Sequence, residues 1–170
     1  SWEVILKTDK RYLSKCPIKS MSPCNALRLI SIEESLFEKY DTSKFKPADW
    51  VELIKQNPQF ADKCTEYNGW KEFNSYNWCN LLSAQSQFAD KCAEYKVWEN
   101  FDSFNWSELL SSQPQFTEKA KEYSHGWAGL LSIKPELANE CECWDKFGIF
   151  DWNKLLSSQP QFADKCTEYN

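Results

Sequence analysis

Apolar residues along this chain fall into two short helical stripes separated by a proline, and the pair recurs. Trp50, Leu53 and Ile54 stand at i, i+3 and i+4, one face of a helix. Pro58 follows. The residue before a proline is pushed out of the helical region, so the first helix is predicted to end near Asn57 after about two turns. Proline also suits the opening position of a new helix. Beyond it, Phe60, Ala61, Cys64 and Tyr67 lie at i, i+1, i+4 and i+7, while Asp62, Lys63 and Glu66 form the opposite, solvated side. Pro114, Pro135 and Pro160 occupy the place of Pro58 in later copies, and Ser86 does so once.

The unit Asp49–Cys64 returns at Asn77–Cys92, Asn105–Ala120 and Asp151–Cys166, more loosely at Gly126–Cys141, and weakly at Ser1–Cys16 and Asn25–Tyr40. Tryptophan-to-tryptophan spacing runs from about 21 residues (Trp106 to Trp127) to about 28 (Trp50 to Trp78), within the period range of stacked repeats. A unit this small cannot bury its own core and must stack on a neighbour. The pattern predicts an all-α solenoid of about seven short helix–turn–helix repeats. Residues 1–48 read as diverged N-terminal repeats and 49–170 as the regular array of one continuous solenoid.

Local signals add detail. Asp49, Asn77, Asn105 and Asp151 precede the first-helix tryptophans and are predicted N-caps, with Glu52 and Glu108 completing capping boxes. Tyr76, Phe104 and Phe150 stand one residue earlier, at staple spacing to Leu81, Leu109 and Leu155. Connectors between copies carry Trp70 with Phe73 and Trp98 with Phe101; the Phe lies five residues before the next Trp, as do Phe45, Phe147 and, in the second copy, Met21 ahead of Ala26. These connectors are expected to be short helical turns that plug the groove between layers. The connector is missing between Tyr123 and Trp127, where the repeat contracts. Neither end shows the polar cap of a terminal repeat, and Gln161–Asn170 repeats Gln59–Asn68 letter for letter. The expectation is a piece of a longer array, or ends that pair with another molecule, including end-to-end self-association.

The consensus W-x-x-L-L-x-x-Q-P-Q-F-A-D-K-C, matched closely by Trp152–Leu156 with Gln159–Cys166 and, in its connector, by Cys141–Phe147, resembles a short repeat found in many copies in uncharacterised proteins of gut-associated bacteria. The resemblance covers most of the chain beyond residue 48. It implies a repeat scaffold and carries no activity with it.

Composition narrows the function. A net charge of −5 argues against nucleic-acid binding, which depends on phosphate neutralisation by a basic face. No apolar run approaches the roughly 20 residues that span a bilayer, and no signal-peptide pattern opens the chain. Of the eight cysteines, Cys16, Cys64, Cys92, Cys141 and Cys166 share one repeat slot, which Tyr40 and Ala120 fill elsewhere. A slot that accepts Cys, Ala or Tyr is a packing position. Equivalent slots in adjacent layers should lie roughly 10 Å apart, beyond disulfide reach. Reduced thiols and a cytoplasmic location are expected.

No residue set announces catalysis. Cys141-x-Cys143 lacks the further ligands that structural zinc requires. His125 stands in a turn with no evident nucleophile beside it. Asp62, Glu66, Asp90, Glu94, Asp164 and Glu168 recur as one face alternating with lysines, the pattern of a solvated helix side. No phosphate-binding loop or nucleophile elbow occurs. The chain is therefore read as a non-enzyme without catalytic, cofactor or metal residues. Its leading function is a protein–protein interaction scaffold. The alternative, resting on charge and size, is an acidic inhibitor that blocks a nucleic-acid-binding enzyme such as a bacterial defence nuclease. Candidate partner-binding residues are the small slots Ser83, Ser111, Ser112 and Ser157, the apolar Ile133, and the connector anchors Trp70 and Trp98, since interface energy concentrates in aromatic residues. The competing reading of the serines is that they start the turn before the proline helix.

Overall fold

A computed structural model describes residues Ser1–Tyr169. Every element among these residues is helical, α-helices interspersed with 3-10 turns, and none of the described residues forms a strand. No described helix is long and apolar enough to cross a membrane. The chain divides into two compact units, Ser1–Glu72 and Phe73–Asn170.

The first unit holds α1 (Trp2–Thr8), α2 (Pro23–Ile30), α3 (Pro47–Gln56) and α4 (Phe60–Glu66). In the diverged second copy Ala26, Leu29 and Ile30 stand in the places of Trp50, Leu53 and Ile54, and all three are core. Phe37 sits at the centre, its ring 5.2 Å from Phe60 and 6.0 Å from Trp50. The second helix of the first two copies is a 3-10 run, Lys10–Lys15 and Glu34–Lys39, rather than an α-helix. Only a few residues separate the chain break from the next connector, and i→i+3 bonds satisfy a short run sooner than i→i+4 bonds do. Asn68 follows α4 in the left-handed region, a conformation Asn tolerates at a helix end.

The second unit holds α5 (Ser75–Ala84), α6 (Ala89–Glu94), α7 (Ser103–Ser112), α8 (Thr117–Ala120), α9 (Ser124–Ile133), α10 (Ile149–Ser158) and α11 (Ala163–Tyr169). Helices α5, α7, α9 and α10 carry the first-helix tryptophans and pack in that order, α5 on α7, α7 on α9 and α9 on α10. The Gln before each break explains part of the consensus. Gln113 donates its side-chain amide to the Ser83 carbonyl at 2.9 Å, and Gln159 to the Ser132 carbonyl at 3.1 Å. Each thus satisfies an orphan carbonyl at the C-terminus of the preceding first helix and sets the two C-terminal ends side by side. The stretch K-x-x-E-Y is equally legible. Lys91, Lys119 and Lys165 pair with Glu94, Glu122 and Glu168 within 3.0 Å while lying over the Tyr95, Tyr123 and Tyr169 rings. Each such exposed pair contributes about 0–1 kcal/mol.

The connectors are 3-10 turns, as the spacing suggested, but their tryptophans are interior. Trp98 is 4% exposed and stacks on Trp106 at 5.5 Å and 16°, and Trp144 stacks on Trp152 at 5.9 Å and 18°. Phe101 and Phe147 close on the same indoles edge-on at 5.4 and 5.2 Å. Trp98 and Trp144 therefore each belong with the first-helix tryptophan that follows them. Trp106 and Trp152 bury their indole N–H without a protein acceptor. Ring burial and stacking outweigh that penalty of about 1–3 kcal/mol each.

The helix starts correct the capping expectation. Asp49, Asn77, Asn105 and Asp151 are not N-caps. They lie at the third helical position, and the caps are Lys46, Asn74, Asp102 and Gly148. In α5 and α7 the box is reciprocal: Asn77 N–H donates to Asn74 Oδ1 at 2.9 Å while Asn74 N–H donates to Asn77 Oδ1 at 3.2 Å, and Asn105 exchanges the same bonds with Asp102 at 2.8 and 3.3 Å. Asp49 and Asp151 supply one half, accepting from the Lys46 and Gly148 amides at 2.8 and 3.0 Å. The staple expectation falls with it. At the second helical position Tyr76, Phe104 and Phe150 point outward and are exposed.

The contracted repeat is accommodated by glycine. A Cβ on Gly129 would lie 2.7 Å from Trp106 Cβ and 2.8 Å from the Ser103 carbonyl oxygen, and one on Gly126 would lie 2.0 Å from the Ala120 carbonyl oxygen. With Ser103 and Ser107 also buried on α7, small residues let α7, α8 and α9 approach backbone to backbone.

Candidate binding face

The register shift at the helix starts creates the most distinctive surface of the second unit. Tyr76, Phe104 and Phe150 occupy one repeat slot, the second position of α5, α7 and α10, and Ile149 precedes Phe150. They are 61%, 52%, 72% and 70% exposed, respectively. The corresponding slot of α9 holds His125. All lie in the first turns of their helices, and two contacts tie neighbouring helices together there. Lys154 Nζ of α10 lies 5.2 Å from the Phe104 ring centre, and His125 Nδ1 of α9 lies 2.8 Å from both Asp151 oxygens of α10.

The His125–Asp151 pair anchors this row. The Asp151 side chain is 1% exposed and His125 is 49% exposed. Because a carboxylate only accepts, Nδ1 carries the proton, and Nε2 is left as the acceptor of the neutral ring. Asp151 also accepts the Gly148 amide, so one buried carboxylate starts α10 and holds α9 beside it. The expectation of an isolated His125 is corrected: its partner lies one repeat ahead, in the slot filled by Asn77 and Asn105 elsewhere.

The residues expected to meet a partner are dispersed. Trp70 is 1% exposed and donates its indole N–H to Thr65 Oγ1 at 2.8 Å; it, like Trp98, has no free surface to offer, because both rings fill the core. Ile133 is half-buried at the end of α9 rather than exposed. The Ser83 hydroxyl is buried. Ser111, Ser112 and Ser157 are exposed, yet their hydroxyls bond back to carbonyls of their own helices: Ser111 to Ser107 at 2.6 Å, Ser112 to Leu109 at 3.0 Å, Ser157 to Lys154 at 2.8 Å. The aromatic slot that sequence reasoning assigned to stapling is the one the structure leaves open.

Among the described residues no group of three or more His, Cys, Asp and Glu side chains is arranged to hold a metal ion. The eight cysteines are unlinked, with Cys64, Cys79, Cys92 and Cys141 buried. Burial pushes the Cys79 thiol up to about 12 and Cys92 higher still.

Compared with known proteins, the chain matches no family model, no curated protein and no solved structure.

Proposed function

We propose that the chain is a solenoid-type scaffold of short helical repeats that binds another protein through the aromatic row Tyr76, Phe104, Ile149 and Phe150. One observation carries this reading: large apolar side chains stand more than half exposed in equivalent slots at one end of neighbouring helices. Clustered exposed apolar groups on a soluble surface mark interaction sites, and aromatic residues supply most of the energy at such sites. The tandem pattern supports the same reading, since stacked repeats present extended surfaces.

A photo-reactive amino acid placed at position 104 or 150 is expected to trap a protein in native cells, and one placed at Lys91 is not. With the trapped protein purified, replacing Phe104 and Phe150 together by Ala should weaken binding by about tenfold or more, the scale of a lost aromatic anchor. Trapping only from position 91, or affinity unchanged in the double variant, refutes the assignment of this face. A trapped nuclease whose activity the chain suppresses would favour the acidic-inhibitor alternative.

A further inference from the structure

The fifth copy departs from the others at one more place. The residue two beyond the cysteine slot is Glu66, Glu94, Glu122 or Glu168 in the regular copies and Cys143 here. The second helix of this copy is a 3-10 run that stops at Glu140, so Cys141 and Cys143 lie in the bend after it rather than on a helix. That bend turns both side chains the same way, and the two sulfurs lie 3.8 Å apart. Cys141 is buried, while Cys143 lines an open groove with Lys121, Tyr123, Trp127 and Lys146.

We propose that Cys141 and Cys143 are a redox-active dithiol that closes to an intrachain disulfide by exchange with a low-molecular-weight disulfide entering this groove. The sulfurs need to approach from 3.8 Å to about 2.05 Å, a movement within reach of side-chain rotation in a non-helical segment. The pair is also poised to give a thiolate. A hydrogen bond from Cys143 holds the Cys141 thiol below its ordinary value against the effect of burial, and the same bond together with burial drives Cys143 up. The remaining proton is shared between the two sulfurs.

Exchange then runs in two steps. Cys143, the accessible sulfur, attacks one sulfur of the small disulfide as its proton passes to the Cys141 thiolate, and the first small thiolate leaves. Cys141 then gives up that proton to the released thiolate and attacks the Cys143 sulfur of the mixed disulfide, expelling the second small thiolate. The dithiol is oxidised and the small disulfide is reduced to two thiols. Cys64, Cys79 and Cys92 are fully interior.

The test uses the whole reduced chain in buffers of glutathione and glutathione disulfide, quenched with acid, alkylated and analysed by peptide mass. With glutathione disulfide in excess, the peptide spanning residues 141–143 is expected to lose two hydrogens and to become refractory to alkylation, reversibly on adding reductant. Cys143→Ser should abolish the loss. Cys141→Ala, which installs the side chain that Ala120 already places in this slot, should instead accumulate glutathione on Cys143. Alkylation of both thiols in the oxidising buffer to the extent seen for exposed Cys24, or the same two-hydrogen loss in Cys143→Ser, overturns the proposal.

Discussion

The copy Asn105–Ala120 and the contracted copy Gly126–Cys141 are neighbours built on one motif, and they use it differently. In the first, Asp102 and Asn105 cap α7 reciprocally, Phe104 projects outward, and Ala120 fills the slot at the end of the second helix. In the second, the cap is absent, Gly126 and Gly129 replace larger residues, His125 stands in the aromatic slot, and the cysteine slot has acquired a second sulfur. Losing the connector forces α9 against α7 and α8, and only glycine allows that approach. The first turn of α9 is instead tied to α10 by the His125 bond to the buried Asp151. The regular copy is a packing unit, whereas the contracted copy holds a His–Asp pair and two neighbouring sulfurs in the corresponding slots.

The largest test of this contrast concerns the layer the two copies share. Trp106 is wholly buried between Trp98, Phe101 and Tyr123. Trp106→Ala should cost about 3–5 kcal/mol in urea unfolding, the range for emptying a large aromatic site. A cost below about 1 kcal/mol would mean that the aromatic layer is not what holds the copies together. Next in size is Gly129→Ala. The added methyl would overlap Trp106 Cβ and the α7 backbone, so overpacking should cost about 1–3 kcal/mol. Gly148→Ala is the internal control. Its Cβ would meet nothing closer than Asp151 Oδ2 at 3.8 Å, and the change should stay within about 1 kcal/mol. Equal effects at the two glycines would remove close approach as the reason for the contracted repeat.

Much of this architecture is visible in the letters. The Trp-x-x-Leu-Leu stripe, the break before proline and the helical connectors all follow from periodicity and backbone chemistry. The helix register does not. An Asn or Asp before Trp can serve as the cap or as the third residue reaching back to the cap, and the two readings differ by one turn. Asn74 and Asp102 are themselves good caps, but Lys46 is a poor one and Gly148 has no side chain to signal one, which hid the common register. The face was lost with it, because a residue that staples inward just before a cap points to solvent at the second helical position. The His125–Asp151 pair was invisible for another reason: its members are a repeat apart and meet only when adjacent copies lie side by side. Trp98 was misplaced because a connector was equated with surface, although a flat ring beside the next indole gains more by stacking than by exposure.

The smallest expected effect separates these two registers most directly. Phe101 and Phe104 are three residues apart and chemically identical. Phe101 is 1% exposed and meets the Trp106 ring edge-on, so Phe101→Ala should cost about 3–5 kcal/mol. Phe104 is 52% exposed, with the Lys154 ammonium over its ring at 5.2 Å. An exposed cation–π contact is worth roughly 0.5–1 kcal/mol, and alanine recovers some of that through its better helix propensity. Phe104→Ala should therefore leave stability within about 1 kcal/mol of the parent chain by urea unfolding. A staple onto Leu109 predicts a clear loss instead, because the ring would then be part of the core at the start of α7. Two denaturation curves, one for each phenylalanine, decide between a ring that holds the helix end and a ring that stands free for a partner.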